Sequence, residues 1–518
     1  MQRHFRAQTG SNRYLAKVSR MTLMDMRRAH GGVAAPTVVI GLRSWEYPAM
    51  SGLSAYFDRR PTKWRKLRRL GNEFVGTMRD AGVARLAQIF RARTVALRAE
   101  SFGNYCARVR PAPVASGEAL LAEPRRAPCL WTCVAPSSGN DHAGIITIDG
   151  VKQPWFATAP PAYPSTQQAY LRLRAAVVYP RPGLVVVEPG VALRNNLLRW
   201  YPDHRLTPGF VDFVDGKLVA SRDELRPRAH IRRTVLVLCH AFHRHYGAWL
   251  LECLPMLLPW RDLLRAGRLA VLVPPLTDWQ WRTFELLGVP GSAVVETPEL
   301  SVECDDMIVP GLNSLEVDPA TGAVEPVIDP ATEWRSYDLR QPGPAVIEAI
   351  QALRASVRPT AAAGPEYIYI SRRGTESFRR VSNEEEVEAA MMRSGFVVVR
   401  TEDLSFDRQV ATFARARVIA GSHGAGLNNA IFAPAGCLVL DICTDSWPNA
   451  RQVQVTQLFG HHYLPVEFPS DATLAQPVFL GKAIIGQLHV YSVQIDALIA
   501  ALENAMLMLG MEPPVGAQ

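Results

Sequence analysis

The stretches YIYIS (367–371), RRGTESFRRVSNEEE (372–386), GFVVVRTEDLSF (395–406) and VIAGSHGAGLNN (418–429) decide how this chain is read. Short apolar runs alternate with segments of helical period, and the polar residues fall in the joints between them. EYIYIS (366–371), GFVVVR (395–400), RVIAG (417–421) and CLVLDI (437–442) read as strands. Ser382 and Glu385 match a capping box opening a helix with Val387, Ala390 and Met391 on one face. Phe406, Val410, Phe413 and Ala414 supply the buried stripe of the next helix, with Ser405 as its N-cap. GAGLNNAIF (424–432) reads as a third helix. Strand–helix–strand repetition at this spacing implies an α/β fold with a parallel sheet covered by helices.

The same rhythm runs upstream. RRTVLVLCH (232–240), RLAVLVPP (268–275) and SAVVE (292–296) read as strands. GAWLLECLPMLLPW (247–260) reads as a helix broken near Pro255, and WQWRTFELLGV (279–289) as another. Residues 318–345, rich in Pro, Asp and Gly, look like a connection between two such blocks. The expected organisation is a basic, partly helical extension over 1–118, a first Rossmann-like domain over 119–345, a second over 346–485, and a helix over 486–518 returning to the first. Two such sheets in succession enclose a cleft, and ligands bind beyond the carboxyl ends of their strands.

The joints at those ends carry the chemistry. Arg372 and Arg373 leave one strand, and Arg379 and Arg380 close the same loop. A diphosphate suits planar, bidentate donors of this kind, although a solvated basic loop has the same composition. Gly421-Ser422-His423-Gly424-Ala425-Gly426 joins a strand to a helix, where glycines permit close backbone approach and free N–H groups face outward. It is neither the P-loop nor the full dinucleotide fingerprint, which weighs against a nicotinamide-dependent oxidoreductase. His423 reads equally as a phosphate ligand or a structural histidine. Glu402 is placed to accept from ribose hydroxyls, and Ser405 caps a helix whatever else it does. His240, His243, His245 and Glu252 cluster around a strand end in the first block. Their His-x-x-His-x-His run invites a metal reading but lacks a helical His-Glu-x-x-His arrangement, and a general base is the alternative.

Composition sets outer limits. The chain has 518 residues, more than one core accommodates, with 48% hydrophobic and 20% charged residues. A net charge of +9 and a pI near 9.2 favour anionic partners. Much of the excess lies in RRPTKWRKLRRL (59–70). That run is a solvated helix face or, through 59–69, a peripheral contact with anionic lipid anchored by Trp64. No recognition-fold pattern accompanies it, so nucleic acid is not expected as a partner. A helical stretch is expected over 63–99, with Phe74, Met78, Val83, Leu86, Ile89 and Phe90 on its apolar face. Of eight cysteines, Cys239, Cys253 and Cys437 lie in apolar runs as buried thiols, and Cys129 with Cys133 lacks the second pair a zinc site needs. No signal peptide or spanning stretch is apparent, so the expectation is a cytoplasmic protein at or near a membrane's inner face.

SRR (371–373), RVSNEEE (380–386), GFVVVRTEDLSFDRQVATFARARVIAGSHGAGLNNAIF (395–432) and VLDI (439–442) resemble glycosyltransferase family 61, the DUF563-type capsular polysaccharide enzymes. WLLECLP (249–255) resembles the family's first-domain helix, and the likeness covers roughly 240–470. The resemblance implies a GT-B fold, an acceptor-binding first domain and a donor-binding second one. It implies inverting transfer from a nucleotide sugar to a glycan or lipid-linked acceptor, with no catalytic metal or other cofactor. Carried over, the donor-binding residues are Arg372, Arg373, Arg380, Glu402, Ser405, His423, Gly424, Ala425, Gly426 and Asn428. The chain departs from the pattern at Ala248, where many relatives have His before the Trp, and at Met256, where they have Arg. His245 and Glu252 are then the candidate bases. The loss at Ala248 also admits a non-catalytic nucleotide-sugar-binding scaffold. Sugar, nucleotide and oligomeric state are not legible.

Overall fold

The computed structural model describes residues 94–100, 102–123, 128–133, 145–152, 167–180, 183–193, 210–214, 217–221, 226–239, 243–298, 301–317, 324–326, 345–357, 364–374, 379–445, 451–474, 476–480 and 483–512. The basic run 59–70 and most of the helix expected over 63–99 lie outside them. The end of that stretch, Thr94–Glu100, is a β-strand rather than a helix. Its TVALRAE alternation and β-branched start fit that outcome.

The chain forms two compact units. One comprises Met1–Leu97, Arg205–Leu225 and Leu480–Ala483, and its described part includes an antiparallel hairpin of Phe210–Val214 with Lys217–Ser221. The other comprises Arg98–His204, Arg226–Phe479 and Ile484–Gln518. Everything below concerns this second unit, which holds both of the parallel sheets anticipated from the sequence.

The first sheet is built on β1 (Gln167–Tyr179), β2 (Val235–Val237), β3 (Ala270–Val273), β4 (Val294–Glu296) and β5 (Val302–Val317). Their order is β4-β3-β2-β5-β1; the first four run parallel, and β1 pairs antiparallel with β5. The second sheet is wholly parallel. It uses β6 (Tyr367–Ile370), β7 (Val397–Val399), β8 (Val418–Ser422), β9 (Leu438–Thr444) and β10 (His462–Phe468) in the order β7-β6-β8-β9-β10. Strand order reverses between β2 and β5 in one sheet and between β6 and β8 in the other. These are the switch points at which doubly wound sheets open a crevice.

The helices that follow the strands of these two sheets are α1, a composite run over 246–265, with α2 (Asp278–Leu286), α3 (Ala345–Ser356), α4 (Glu384–Arg393), α5 (Phe406–Phe413), α6 (Arg451–Leu458) and α7 (Ile495–Met508); two more, Phe102–Val109 and Gly117–Ala122, precede them. The break expected near Pro255 is instead a π-helical turn, Trp249–Cys253, followed by a 3-10 turn at Leu258–Trp260. Periodicity reasoning assumes 3.6 residues per turn and does not register one extra residue. The expected capping box at Ser382 does not form. Asn383 is the N-cap, Ser382 Oγ donates to the Tyr491 carbonyl, and Asn383 exchanges hydrogen bonds with the Val493 backbone. A C-terminal strand, Ala483–Tyr491, thus recruits the groups that would have capped the helix.

Alternation along each strand divides the core. Leu236, Val271 and Ile308 from the first sheet, with Ile368, Ile370, Ile419 and Val439 from the second, enter one continuous cluster. Trp249, Trp260, Ile350, Phe413 and Ile431 from the intervening helical segments complete it. The opposite face of the first sheet, with Val235, Val237 and Leu272, packs in a second cluster. Tyr369, Ala420 and Leu440, on the outer face of the second sheet, pack with Val387 and Met391 of α4 and with Leu498 and Leu502 of α7. The C-terminal helix therefore covers the second sheet, not the first block as expected. Its stripe at Leu498, Ala501, Leu502 and Ala505 matches an apolar face that α4 alone leaves open.

Candidate functional site

The carboxyl ends of β6 and β8 meet at the second sheet's switch point. Beyond β6 the chain is anchored to α4. The Arg372 N–H donates to Glu384 Oε1 (3.1 Å), and Ser371 Oγ donates to Glu388 Oε1. This anchoring turns the Arg372 side chain toward β8, where its Nη1 donates to the His423 carbonyl (3.3 Å). Arg379 arrives from the strand Arg379–Val381, which pairs in parallel with the C-terminal strand. A Cβ placed on Gly424 would lie 1.8 Å from Arg372 Nη1 and 3.5 Å from Arg379 Nη2. The two guanidinium groups thus converge over a residue that must lack a side chain. Burial and the neighbouring Arg372 charge pull the Arg379 pKa down to about 10, and burial lowers that of Arg372. Two cations held together out of water favour an anion between or beside them.

The other expected arginines do not join them. Arg373 is exposed, paired with Glu385 (2.7 Å) and Glu388 (3.3 Å). Arg380 is also exposed. Successive side chains of a strand point to opposite faces, so the inward position in Arg379–Val381 falls to Arg379. Sequence reading grouped this pair in one loop and carried Arg380 forward, whereas Arg379 is the member that lies beside Gly424.

His423 and Asn428 are buried beneath the turn. His423 Nδ1 lies 2.6 Å from Asp441 Oδ2, which also accepts the Tyr463 hydroxyl (2.7 Å). A carboxylate only accepts, so the shared proton belongs to Nδ1. Gln452 Nε2 donates to the Gly424 carbonyl (3.0 Å) and to Asn428 Oδ1 (3.2 Å). Both residues therefore set the shape of the turn. His423, Asp441 and Cys443 also bring three potential metal-ligand atoms within 4.8 Å of one another. A cation there would have to displace the proton between His423 and Asp441. It would also have to ionise a thiol whose pKa burial and Asp441 push well above the ordinary range. This donor set fits a hydrogen-bonded triad better than a metal.

Next to the turn lies a cleft of about 820 Å³. Glu402, Ser405, Ala425 and Gly426 line it from the second sheet, as expected from the sequence, joined by Thr401 and Asn429. Ser405 Oγ also accepts the Arg408 N–H (3.4 Å) and caps α5. Ala425–Phe432 is a 3-10 helix rather than the α-helix anticipated, and its first residues, Ala425 and Gly426, line the cleft. Glu402 is exposed, with Arg400 Nε 3.8 Å away. Arg372 and Arg379 lie beside Gly424, behind this wall.

The first sheet supplies the opposite wall, whose lining includes neither His245 nor Glu252. His245 is exposed and N-caps α1; its Nδ1 accepts the Ala248 N–H (3.3 Å). In the neutral ring that places the proton on Nε2. Glu252 lies inside the π turn, 2% exposed, and does not line the cleft. His243 is buried, with its carbonyl accepting from Gln280 (2.7 Å), and His240 lies outside the described residues. The wall itself consists of Tyr246, Thr277, Asp278, Trp279 and Arg282. Tyr246 donates to Asn429 Oδ1 (2.8 Å), and Arg282 grips Asp407 in a bidentate pair (2.9 and 2.8 Å). Sequence reading placed Trp279 and Arg282 in a helix without assigning them to a site. Their signal was a Trp-rich helix opening directly after a strand end.

Among the described residues no helix is long and apolar enough to cross a membrane. No curated protein matches the chain. Residues 246–440 match a family model described as Glycosyltransferase 61.

Proposed function

We propose that this member of glycosyltransferase family 61 transfers a sugar, with inversion, from a nucleotide-sugar donor to a hydroxyl of a glycan or lipid-linked acceptor in surface or capsular polysaccharide synthesis. The observation that carries this reading is the meeting of Arg372 and Arg379 over Gly424 at the second sheet's switch point. Transfer leaves a nucleoside diphosphate, and the barrier falls where preset donors meet the charge growing on its bridging oxygen. Two guanidinium groups and the N–H groups opening the 3-10 helix are such donors. They are fixed before substrate arrives, Arg372 by the His423 carbonyl and the turn by Gln452. Glu402 and Ser405, on the same wall, suit the hydroxyls of a ribose.

Calorimetric titration with UDP, GDP, CDP and dTDP tests the site. At least one should bind. Arg372→Ala should weaken it by about 2–5 kcal/mol, the range for charged hydrogen bonds left half-made. Equal affinity in Arg372→Ala and the parent, or no binding of any of the four, would overturn the reading.

A further inference from the structure

Most polar groups on the first sheet's wall of the cleft are already committed. Tyr246 gives its hydroxyl proton to Asn429, and burial pushes its pKa well above the ordinary range. Thr277 donates to Gln280, and Arg282 is held by Asp407 and Glu285. That leaves Asp278 and Trp279, consecutive residues at the start of α2. Asp278 is exposed, and among the described residues no hydrogen bond or ion pair engages its carboxylate. Trp279 is half-buried and fixed from behind, with its ring centroid 5.4 Å from that of Tyr246 and 6.3 Å from that of Trp249. The Thr277–Gln280 capping box sets the direction in which both leave the helix.

A held indole beside a carboxylate on a cleft wall suits a carbohydrate. The ring packs against the C–H face of a pyranose, and the carboxylate accepts from its hydroxyls. We propose that Asp278 and Trp279 form the acceptor subsite, that its ligand is a sugar hydroxyl, and that Asp278 is the general base the transfer requires. This rests on the transferase reading above. Asp278 takes the proton of the acceptor hydroxyl as that oxygen bonds to the anomeric carbon. The bond from this carbon to the donor phosphate oxygen breaks, and its electron pair leaves with the nucleoside diphosphate toward Arg372 and Arg379. The proton on Asp278 then passes to solvent. Two other carboxylates line the cleft: Asp407 is held by Arg282, and Glu402 lies on the wall with the glycine turn and toward Arg400.

The test measures nucleoside diphosphate release from UDP- and GDP-sugars, with a panel of p-nitrophenyl glycosides as acceptors. Asp278→Asn should bind UDP or GDP within twofold of the parent, while kcat falls about 100-fold or more. Asp278→Ala should regain activity with added formate. Trp279→Ala should raise the acceptor KM at least tenfold with kcat changed less than threefold. Asp278→Asn keeping a third of parental kcat, or a loss confined to Glu402→Gln, would overturn the base assignment and leave the transferase intact. An unchanged acceptor KM in Trp279→Ala would overturn the platform. A parent that releases nothing from any donor, with or without acceptor, would overturn the transferase reading and this proposal with it.

Discussion

Arg379→Met separates what the phosphate-side arginines do for the fold from what they do for a ligand. The Arg379 guanidinium is partly buried beside Arg372, and its pKa falls from the ordinary arginine value to about 10. Each pH unit of that drop is worth about 1.4 kcal/mol, so holding the charge costs about 3 kcal/mol before screening. Solvent at the accessible part of the side chain brings this to roughly 1–3 kcal/mol. The sign is fixed because a base with a lowered folded pKa destabilises the fold wherever it remains charged. The penalty is full below pH 10 and is relieved only above it. Methionine keeps the length and apolar stem without the charge. The ligand-free variant should therefore melt higher than the parent, by roughly 1–4 °C for a chain of this size, and equally at pH 6 and pH 9. The shift produced by a saturating nucleoside diphosphate should shrink sharply. Paired thermal melts with and without UDP or GDP read both effects. A variant that melts lower alone yet keeps the parental ligand shift would refute the reasoning, because it would make Arg379 a structural residue.

Other outcomes follow from the same geometry. Gly424→Ala puts a methyl group 1.8 Å from Arg372 Nη1 and must displace that guanidinium, so nucleoside diphosphate affinity measured by calorimetry should fall at least tenfold. Arg373→Ala should leave affinity within twofold and stability within about 1 kcal/mol, since the Arg373 guanidinium is exposed and held by Glu385 and, more distantly, by the buried Glu388. His461 is buried, donates Nε2–H to the Ala430 carbonyl, and has a pKa pulled down to about 4, chiefly by burial. The folded state holds it neutral, so its contribution is complete above about pH 6.5 and is lost as pH falls toward 4. The loss should total about 3 kcal/mol in urea titrations, and His461→Gln should flatten that dependence.

Much of the second sheet was legible because its strands are short, wholly apolar and punctuated by polar joints. Tyr367–Ile370 and Val418–Ser422 fall within a residue of their expected bounds. The C-terminal elements were misread because Ala483–Tyr491 is tied into the fold by long-range pairing with Arg379–Val381, which no local pattern announces. The same pairing sorted Arg379 from Arg380. At the second sheet the sequence exposed the turn and its glycines, but not that Gln452, Asp441 and, through Asp441, Tyr463 brace it from a helix and strands 18 to 40 residues further along the chain. On the first sheet's wall a histidine-rich joint drew attention away from Asp278, which lines a cleft that only the assembled sheets create.

The inner faces of both sheets drain into one apolar cluster, and this bears on how such proteins can change. Each half keeps a cluster of its own on its outer face, but on the inner side Ile368 and Leu236 belong to one interior with the helices between them. Grafting one half from a relative as a cassette would strand side chains shaped for a different mate. New ligand preferences should therefore come by substitution along the groove's lining, where Trp279 and Glu402 sit, while the seam beneath stays coadapted.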